Sequence, residues 1–268
     1  MSRMSVLHWH HPERMPPGCP VNTPVSLAIG VFDGVHRGHQ ALIDRAVAYA
    51  AADPTSLPMV LTFDPNPARF MRPDSYAGDL STVGQRTALC AERGVRQALV
   101  VSFSEEFAAL PGRPFLSLLQ RLLPRLSTVV VGFNFHLGRG RDIHAREMAQ
   151  WMAPHDIRVD IVSALKDNGE SISSSRIRRA VAVGDLGQAA ALLGRPYTVA
   201  IDGRLPSHRN ESRQLLPEQG RYSCTFQDGG TNREGMMSVA PGGALTWEPH
   251  SETTQRVILR SKMNGIDS

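Results

Sequence analysis

Between residues 25 and 164, short apolar runs of strand length alternate with stretches of helical spacing. The runs are "VSLAIGVF" (25–32), "PMVLTF" (58–63), "QALVVSF" (97–103), "TVVVGF" (128–133) and "IRVDIVSA" (157–164). Residues 40–51 put Leu42, Ile43, Ala46, Val47 and Ala50 on one helical face, and 84–93, 114–123 and 145–152 also look helical. Strands covered on both sides show no polar alternation. Continuous β-branched runs separated by helices therefore predict an α/β fold, a doubly wound parallel sheet of Rossmann-like type. Ligands in such sheets collect beyond the carboxyl ends of the strands. The loops after residues 32, 63 and 133 are accordingly expected to share one crevice.

The flanks differ. Residues 1–20 form a polar, proline-containing segment with no apolar core of signal length. From 174 to 194 come two short helices, "SSRIRRAVAVG" and "LGQAAALLG", each closed by a glycine suited to a C-terminal cap. Beyond Pro196 helical periodicity stops, and "YTVAID", "RYSCTF", "MMSVA", "ALTWEP" and "RVILRS" predict a small β-rich, barrel-like domain. The expected division is thus 1–20, 21–195 and 196–268. A net charge of +4, from 29 basic and 25 acidic residues, is too small and dispersed to demand nucleic acid and suits an anionic small substrate. Cys19, Cys90 and Cys224 lack metal-ligand spacing and read as reduced thiols. With no stretch approaching the roughly 20 apolar residues of a membrane span, the expectation is a cytoplasmic protein without membrane or nucleic-acid partners; oligomeric state stays open.

"GVFDGVHRGHQALIDRA" (30–46) concentrates the chemistry. If a helix starts near residues 37–39, its free amides and positive dipole end face the crevice and attract phosphate, while Gly34 and Gly38 let the backbone approach closely. His36 and His39 stand three apart, so both imidazoles reach the same side of the first turn. There they would donate to the oxygens of a phosphate under attack. The plainer alternative is two surface histidines at a helix start. In "LTFDPNP" (61–67), two prolines stiffen the turn that carries Asp64 and Asn66. In "VVVGFNFHLGRGR" (129–141), Phe133 and Phe135 offer aromatic faces, Asn134 a polar anchor, and Arg139 a cation. In "ISSSRIRRAV" (172–181), Ser173 or Ser174 would cap a helix, with Ser175 and Arg178 one turn apart.

These phrases, in this order, resemble the FMN adenylyltransferase module of bacterial bifunctional riboflavin kinase/FAD synthetases, within the HxGH nucleotidyltransferase superfamily; "GDLGQAAALLGRPY" (184–197) extends the likeness. The resemblance covers roughly residues 25–200. It implies transfer of AMP from ATP to FMN, giving FAD and pyrophosphate, with Mg²⁺ on the phosphates; no carboxylate cluster marks a protein site for the metal. It implies catalytic roles for His36, His39 and Arg178, and ATP contacts from Gly30, Phe32, Asp33, Gly34, His36, His39, Ser174, Ser175 and Arg178. Flavin contacts would come from Asp64, Asn66, Phe133, Asn134, Phe135 and Arg139. Asn66 stands where the family usually has histidine, and His136 and Leu137 where it usually has arginine and phenylalanine.

In the family the region after "LLGRPY" is a riboflavin kinase barrel. Here Pro217, Gly220 and Tyr222 keep part of one family phrase, but the Pro-Thr-x-Asn element is absent, so a degenerate barrel without riboflavin kinase activity is expected. Two alternatives stay open at the level of sequence. One is an adenylyl- or cytidylyltransferase for another phosphorylated small molecule; the other is a noncatalytic nucleotide- or flavin-binding paralogue.

Overall fold

The five apolar runs become five of six parallel strands in the computed structural model, which describes residues 4–201, 208–209, 214–228, 230–249 and 254–263. The chain divides into two compact units: Met1–Tyr76 with Arg86–Leu165, and Ala77–Gln85 with Lys166–Ser268.

In the first unit the elements run β1 (Ser5–Trp9), β2 (Val25–Ile29), α1 (Arg37–Ala51), β3 (Leu57–Asp64), α2 (Pro67–Met71), α3 (Val83–Glu92), β4 (Gln97–Ser102), α4 (Glu105–Ala109) and α5 (Gly112–Leu122). They continue with β5 (Leu126–Gly132), the short hairpin β6 (His136–Leu137) and β7 (Ile143–His144), α6 (Ala145–Met152) and β8 (Arg158–Val162). The first turn of α3 is counted with the second unit. The sheet order is β1-β4-β3-β2-β5-β8, and every pairing is parallel. Consecutive side chains on a strand point to opposite faces. Accordingly Leu27, Ile29, Met59, Leu61, Val129 and Val131 pack with α5 and α6, while Ala28, Val60, Ala98 and Val130 pack with Ile43 and Ala46 of α1 and Cys90 of α3. Both faces are covered, as the continuous apolar runs require.

β1 is a strand that the sequence reading did not contain. It lies in the segment expected to be only polar, pairs in parallel with β4, and buries Trp9 against Phe107 and Phe115. The chain moves outward from β2 through β3 to β4, then returns to the other side of β2 as β5. The order therefore reverses between β2 and β5, where a crevice opens at the carboxyl ends of a parallel sheet.

The second unit contains β9 (Lys166–Asp167), β10 (Glu170–Ser171), α7 (Ser174–Ala182), α8 (Leu186–Leu193), β11 (Thr198–Ala200), β12 (His208–Arg209), β13 (Gly220–Asp228), β14 (Thr231–Val239), β15 (Ala244–Glu248) and β16 (Thr254–Lys262). Gly184 and Gly194 follow the two helices at φ 73° and 75°, the left-handed conformation for which a glycine cap is suited. The last six strands form one sheet, β11-β16-β13-β14-β15-β12, with antiparallel pairings. Register shifts between β13 and β16 curl it into a half-barrel. Tyr222, Cys224, Phe226, Met237, Trp247 and Leu259 fill its core, together with Ile177, Val181 and Leu192 from the two helices. These helices share their core with the barrel strands, whereas the sequence reading grouped them with the residues before 195. Asp202, the end of one expected strand, and most of residues 203–213, where a kinase-type element is missing, lie outside the described residues. No helix among the described residues is long and apolar enough to cross a membrane.

Candidate active site

The loop from β2 into α1 is an unusual piece of backbone. Phe32 sits at φ 51°, Gly34 at 75° and Val35 at 39°; positive φ is uncommon for a phenylalanine and an outlier for a β-branched valine. The Phe32 ring is fully buried and lies over Gly30, where a Cβ would be 3.2 Å from two of its carbons. The same ring meets His39 edge-on at 5.4 Å. Phe32 thus supports a catalytic candidate through its packing, and Gly30 makes room for it.

α1 starts at Arg37, and His36 is its N-cap: the His36 Nδ1 accepts from the His39 backbone N–H at 3.2 Å. With Nδ1 used as acceptor, the ring proton of neutral His36 is on Nε2. The two imidazoles stack with centroids 3.6 Å apart and planes 17° off parallel. His36 is buried and His39 half-buried. Gln40 Nε2 donates to the Val35 carbonyl at 2.9 Å and closes the turn. The result is a stacked pair of imidazoles beside the N-terminal turn of a 15-residue helix, at the strand-order reversal.

On the β3 side, Asn66 is buried and caps α2, accepting from the Ala68 N–H at 3.0 Å, whereas Asp64 is exposed and its carbonyl accepts from the Phe103 N–H. Asn66 has therefore taken up one amide oxygen in local structure. Three aromatics that the sequence reading did not single out gather here. Phe103 meets Phe63 at 5.9 Å and Phe70 at 5.5 Å, both edge-on, and Phe70 is partly exposed. Phe63 and Phe103 carried one signal, an aromatic at or just past a strand's carboxyl end; Phe70, inside α2, carried none.

After β5, the loop gives its two phenylalanines different surroundings. Phe135 packs against the core, while Phe133 is 53% exposed. Asn134 and Arg139 are exposed, and the Arg139 N–H donates to the Leu110 carbonyl at 2.8 Å. At the hairpin, His136 and His144 bring their Nδ1 atoms within 2.5 Å. Desolvation first, then the Arg141 charge and His144, hold His136 below the usual histidine pKa.

Ser174, Ser175 and Arg178 belong to the second unit. Ser173 is the cap of α7, accepting from the Arg176 N–H at 3.3 Å; Ser175 is exposed one turn before Arg178, whose Nε donates to the Gly78 carbonyl at 2.8 Å. Of the expected site residues, the first unit thus assembles Gly30, Phe32, Asp33, Gly34, His36, His39, Asp64, Asn66 and the 133–139 loop along the carboxyl ends of the adjacent strands β3, β2 and β5. Among the described residues no group of three or more His, Cys, Asp or Glu is placed to hold a metal ion.

A family model described as FAD synthetase matches residues 20–176, more than half of the chain. The bifunctional riboflavin kinase/FMN adenylyltransferase of Listeria monocytogenes is 30% identical over 252 residues, 88% of this chain and 78% of the relative. A protein of the same name from Escherichia coli is 33% identical over 212 residues; the match spans 74% of this chain and 66% of that protein. A Listeria monocytogenes FAD synthetase is 29% identical over 197 residues, 73% of this chain and 79% of its own length. Among solved structures, a crystal structure titled macrolide-efflux protein, from Streptococcus pneumoniae, superposes with a TM-score of 0.78 over 99% of this chain and 94% of that one. At 23% identity that likeness concerns the fold alone.

Proposed function

We propose, from the premise that the chain belongs to the FAD synthetase family, that it transfers AMP from ATP to FMN, releasing pyrophosphate and forming FAD. The stacked His36–His39 pair at the start of α1 is the observation that carries this reading.

The terminal phosphate oxygen of FMN attacks the α phosphorus of ATP, and the bond to the pyrophosphate oxygen breaks. The nucleophile is already an anion, so the protein's task is alignment and charge neutralisation. His36 Nε2–H and the His39 ring are suited to donate to oxygens of the phosphate under attack, with the α1 amides adding a fixed positive potential. Ser175 and Arg178, one turn apart on α7, have the chemistry to hold the departing β and γ phosphates, with Ser174 beside them. Exposed Phe133 and the Phe63–Phe70–Phe103 cluster present apolar surface for a planar ring, and Asp64, Asn134 and Arg139 supply its polar partners. Mg²⁺, bound to the phosphates of ATP, would supply charge neutralisation there, where it commonly keeps substrate oxygens and waters as ligands. The three free cysteines support a reducing, cytoplasmic setting.

The missing Pro-Thr-x-Asn element supports the further proposal that riboflavin is not phosphorylated. Purified protein with Mg·ATP and either FMN or riboflavin, products separated by chromatography, tests both statements. FAD from FMN alone is expected. No FAD from FMN overturns the adenylyltransfer, and FMN from riboflavin overturns the loss of kinase activity.

A further inference from the structure

We propose that Arg86, buried on α3, is a positioning residue that pins the strained loop between β2 and α1 and so sets the aim of the His36–His39 pair. This rests on the reading of that loop as the nucleotide site. Arg86 is 2% exposed, in a helix whose sequence marks it only as one more basic residue. Its Nη1 donates to Thr62 Oγ1 at 3.1 Å and to the Phe63 carbonyl at 2.9 Å. Thr62 Oγ1 in turn donates to the Val31 carbonyl at 2.8 Å. On the other side, Arg86 Nη2 lies 3.9 Å from Asp33 Oδ1, and both side chains are almost completely buried.

The guanidinium therefore reaches the loop twice: at Val31, near its start, through Thr62, and at its centre through Asp33. The span between those points contains Phe32, and Val35 follows; both are at positive φ. Such conformations persist only where the surroundings over-determine them. An ion pair at 3.9 Å, with the buried Nε–H lacking a hydrogen-bond partner, is a poor source of stability compared with an apolar side chain of similar volume. What the guanidinium supplies is direction: a planar fork fixes two bonds and a charge at once, which a Lys ammonium does less well. His36 directly follows Val35, so relaxation of the loop moves the donor ring. Misplacement by about 1 Å is enough to cost about 10²-fold in rate.

The test compares Arg86→Met, Arg86→Lys and Thr62→Val with Arg93→Met. Arg93 directly follows the same helix and pairs with Asp44 at the surface. Steady-state FAD formation and hydrogen exchange of peptides across the chain are read on each full-length variant. The expectation for R86M is a fall in kcat of about 10²-fold with both KM values within about threefold, as for a role exerted in the transition state. R86K recovers to within about tenfold of wild type, T62V loses about tenfold, and R93M stays within about twofold. Faster exchange in R86M is confined to residues 30–36 and 62–66. Equal acceleration in every peptide, an unchanged kcat, or no recovery with lysine overturns the proposal. If R86M does not fold, an unaltered T62V overturns it just as well. If the wild type makes no FAD, the functional reading falls, while exchange at residues 30–36 in R86M against R93M still decides whether Arg86 holds the loop.

Discussion

Gly138→Ala separates the geometry of the loop after β5 from its assigned flavin role. Gly138 sits at φ 82°, ψ 168°, a region that is essentially closed to side chains. A Cβ there would lie 1.9 Å from Asp142 Oδ1, 2.3 Å from the Gly112 nitrogen and 2.7 Å from its Cα. Two of these atoms are backbone, and Asp142 is itself held, both carboxylate oxygens lying 3.0 Å from the Gly112 N–H. No rotamer relieves the clash, so the hairpin must leave Gly112. Backbone strain of about 1–3 kcal/mol and a charge-assisted bond of about 1.5 kcal/mol at this part-buried position set a loss of about 3 kcal/mol. For a unit of this size that lowers Tm by roughly 6–12 °C. Gly140 is the control: it is also left-handed, at φ 70°, but nothing lies within 4 Å of its Cβ position. Gly140→Ala should cost only the conformational term of about 1 kcal/mol, or roughly 2–4 °C. Thermal unfolding and separate KM determinations for FMN and ATP read both variants. G138A is expected to raise the KM for FMN by more than about tenfold and leave that for ATP within about twofold, since Phe133 and Asn134 move with the hairpin. A native Tm would refute the packing argument. A lowered Tm with an unchanged KM for FMN would refute the flavin assignment of the loop.

Three further outcomes follow. His39→Ala should lower FAD turnover by at least about tenfold with the unfolding transition intact, the loss expected for one transition-state donor; unchanged turnover removes its role. His136 has a native pKa below its unfolded value, so it contributes stability that is fully present above about pH 6.5 and is lost as pH falls from there through its lower native pKa, while the unfolded chain takes up the proton first. His136→Gln should flatten this part of the Tm profile between about pH 7.5 and 5.5, and an identical slope in both proteins counts against it. Gly235→Ala would place a Cβ 2.1 Å from the Glu248 carbonyl and 2.6 Å from the Phe226 ring, and should unfold the half-barrel, seen as lost tryptophan burial around Trp247; a folded variant with native fluorescence shows that β14 and β15 can separate there.

Much of the first unit was legible because burial on both faces writes itself into composition: the middles of β2 to β5 are unbroken apolar runs, Leu27–Ile29, Met59–Leu61, Ala98–Val101 and Val129–Val131. β1 was not, since its five residues carry a histidine next to the one large buried side chain, Trp9, and an edge strand with exposed positions shows neither alternation nor a continuous apolar run. The half-barrel strands were visible from their turns, although the two residues of β12 are too few for any pattern. The site divides in the same way. Glycines, histidines and prolines are rare enough in combination to mark the β2–α1 and β3–α2 loops. Phe133 and Phe135 occupy alternate positions in one aromatic phrase, and nothing in the phrase says that the second turns to the core while the first stays exposed.

The deepest omission concerns what restrains the loop rather than what reacts in it. A left-handed backbone announces itself when glycine occupies it, as at Gly34, but Phe32 and Val35 adopt positive φ with side chains that disfavour it. Local sequence therefore argues against the very conformation that brings His36 into the cap of α1. The conformation must be imposed from outside the segment, by Arg86 through Thr62 and Asp33, by Gln40 on the Val35 carbonyl, and by the Phe32 ring closed over Gly30. Arg86 and Thr62 are ordinary residues in a helix and a strand, distant in sequence from the motif, and they acquire meaning only when α3 and β3 pack together. A motif thus records the groups that meet the substrate, while the forces holding those groups on target are distributed over residues whose types carry no such mark.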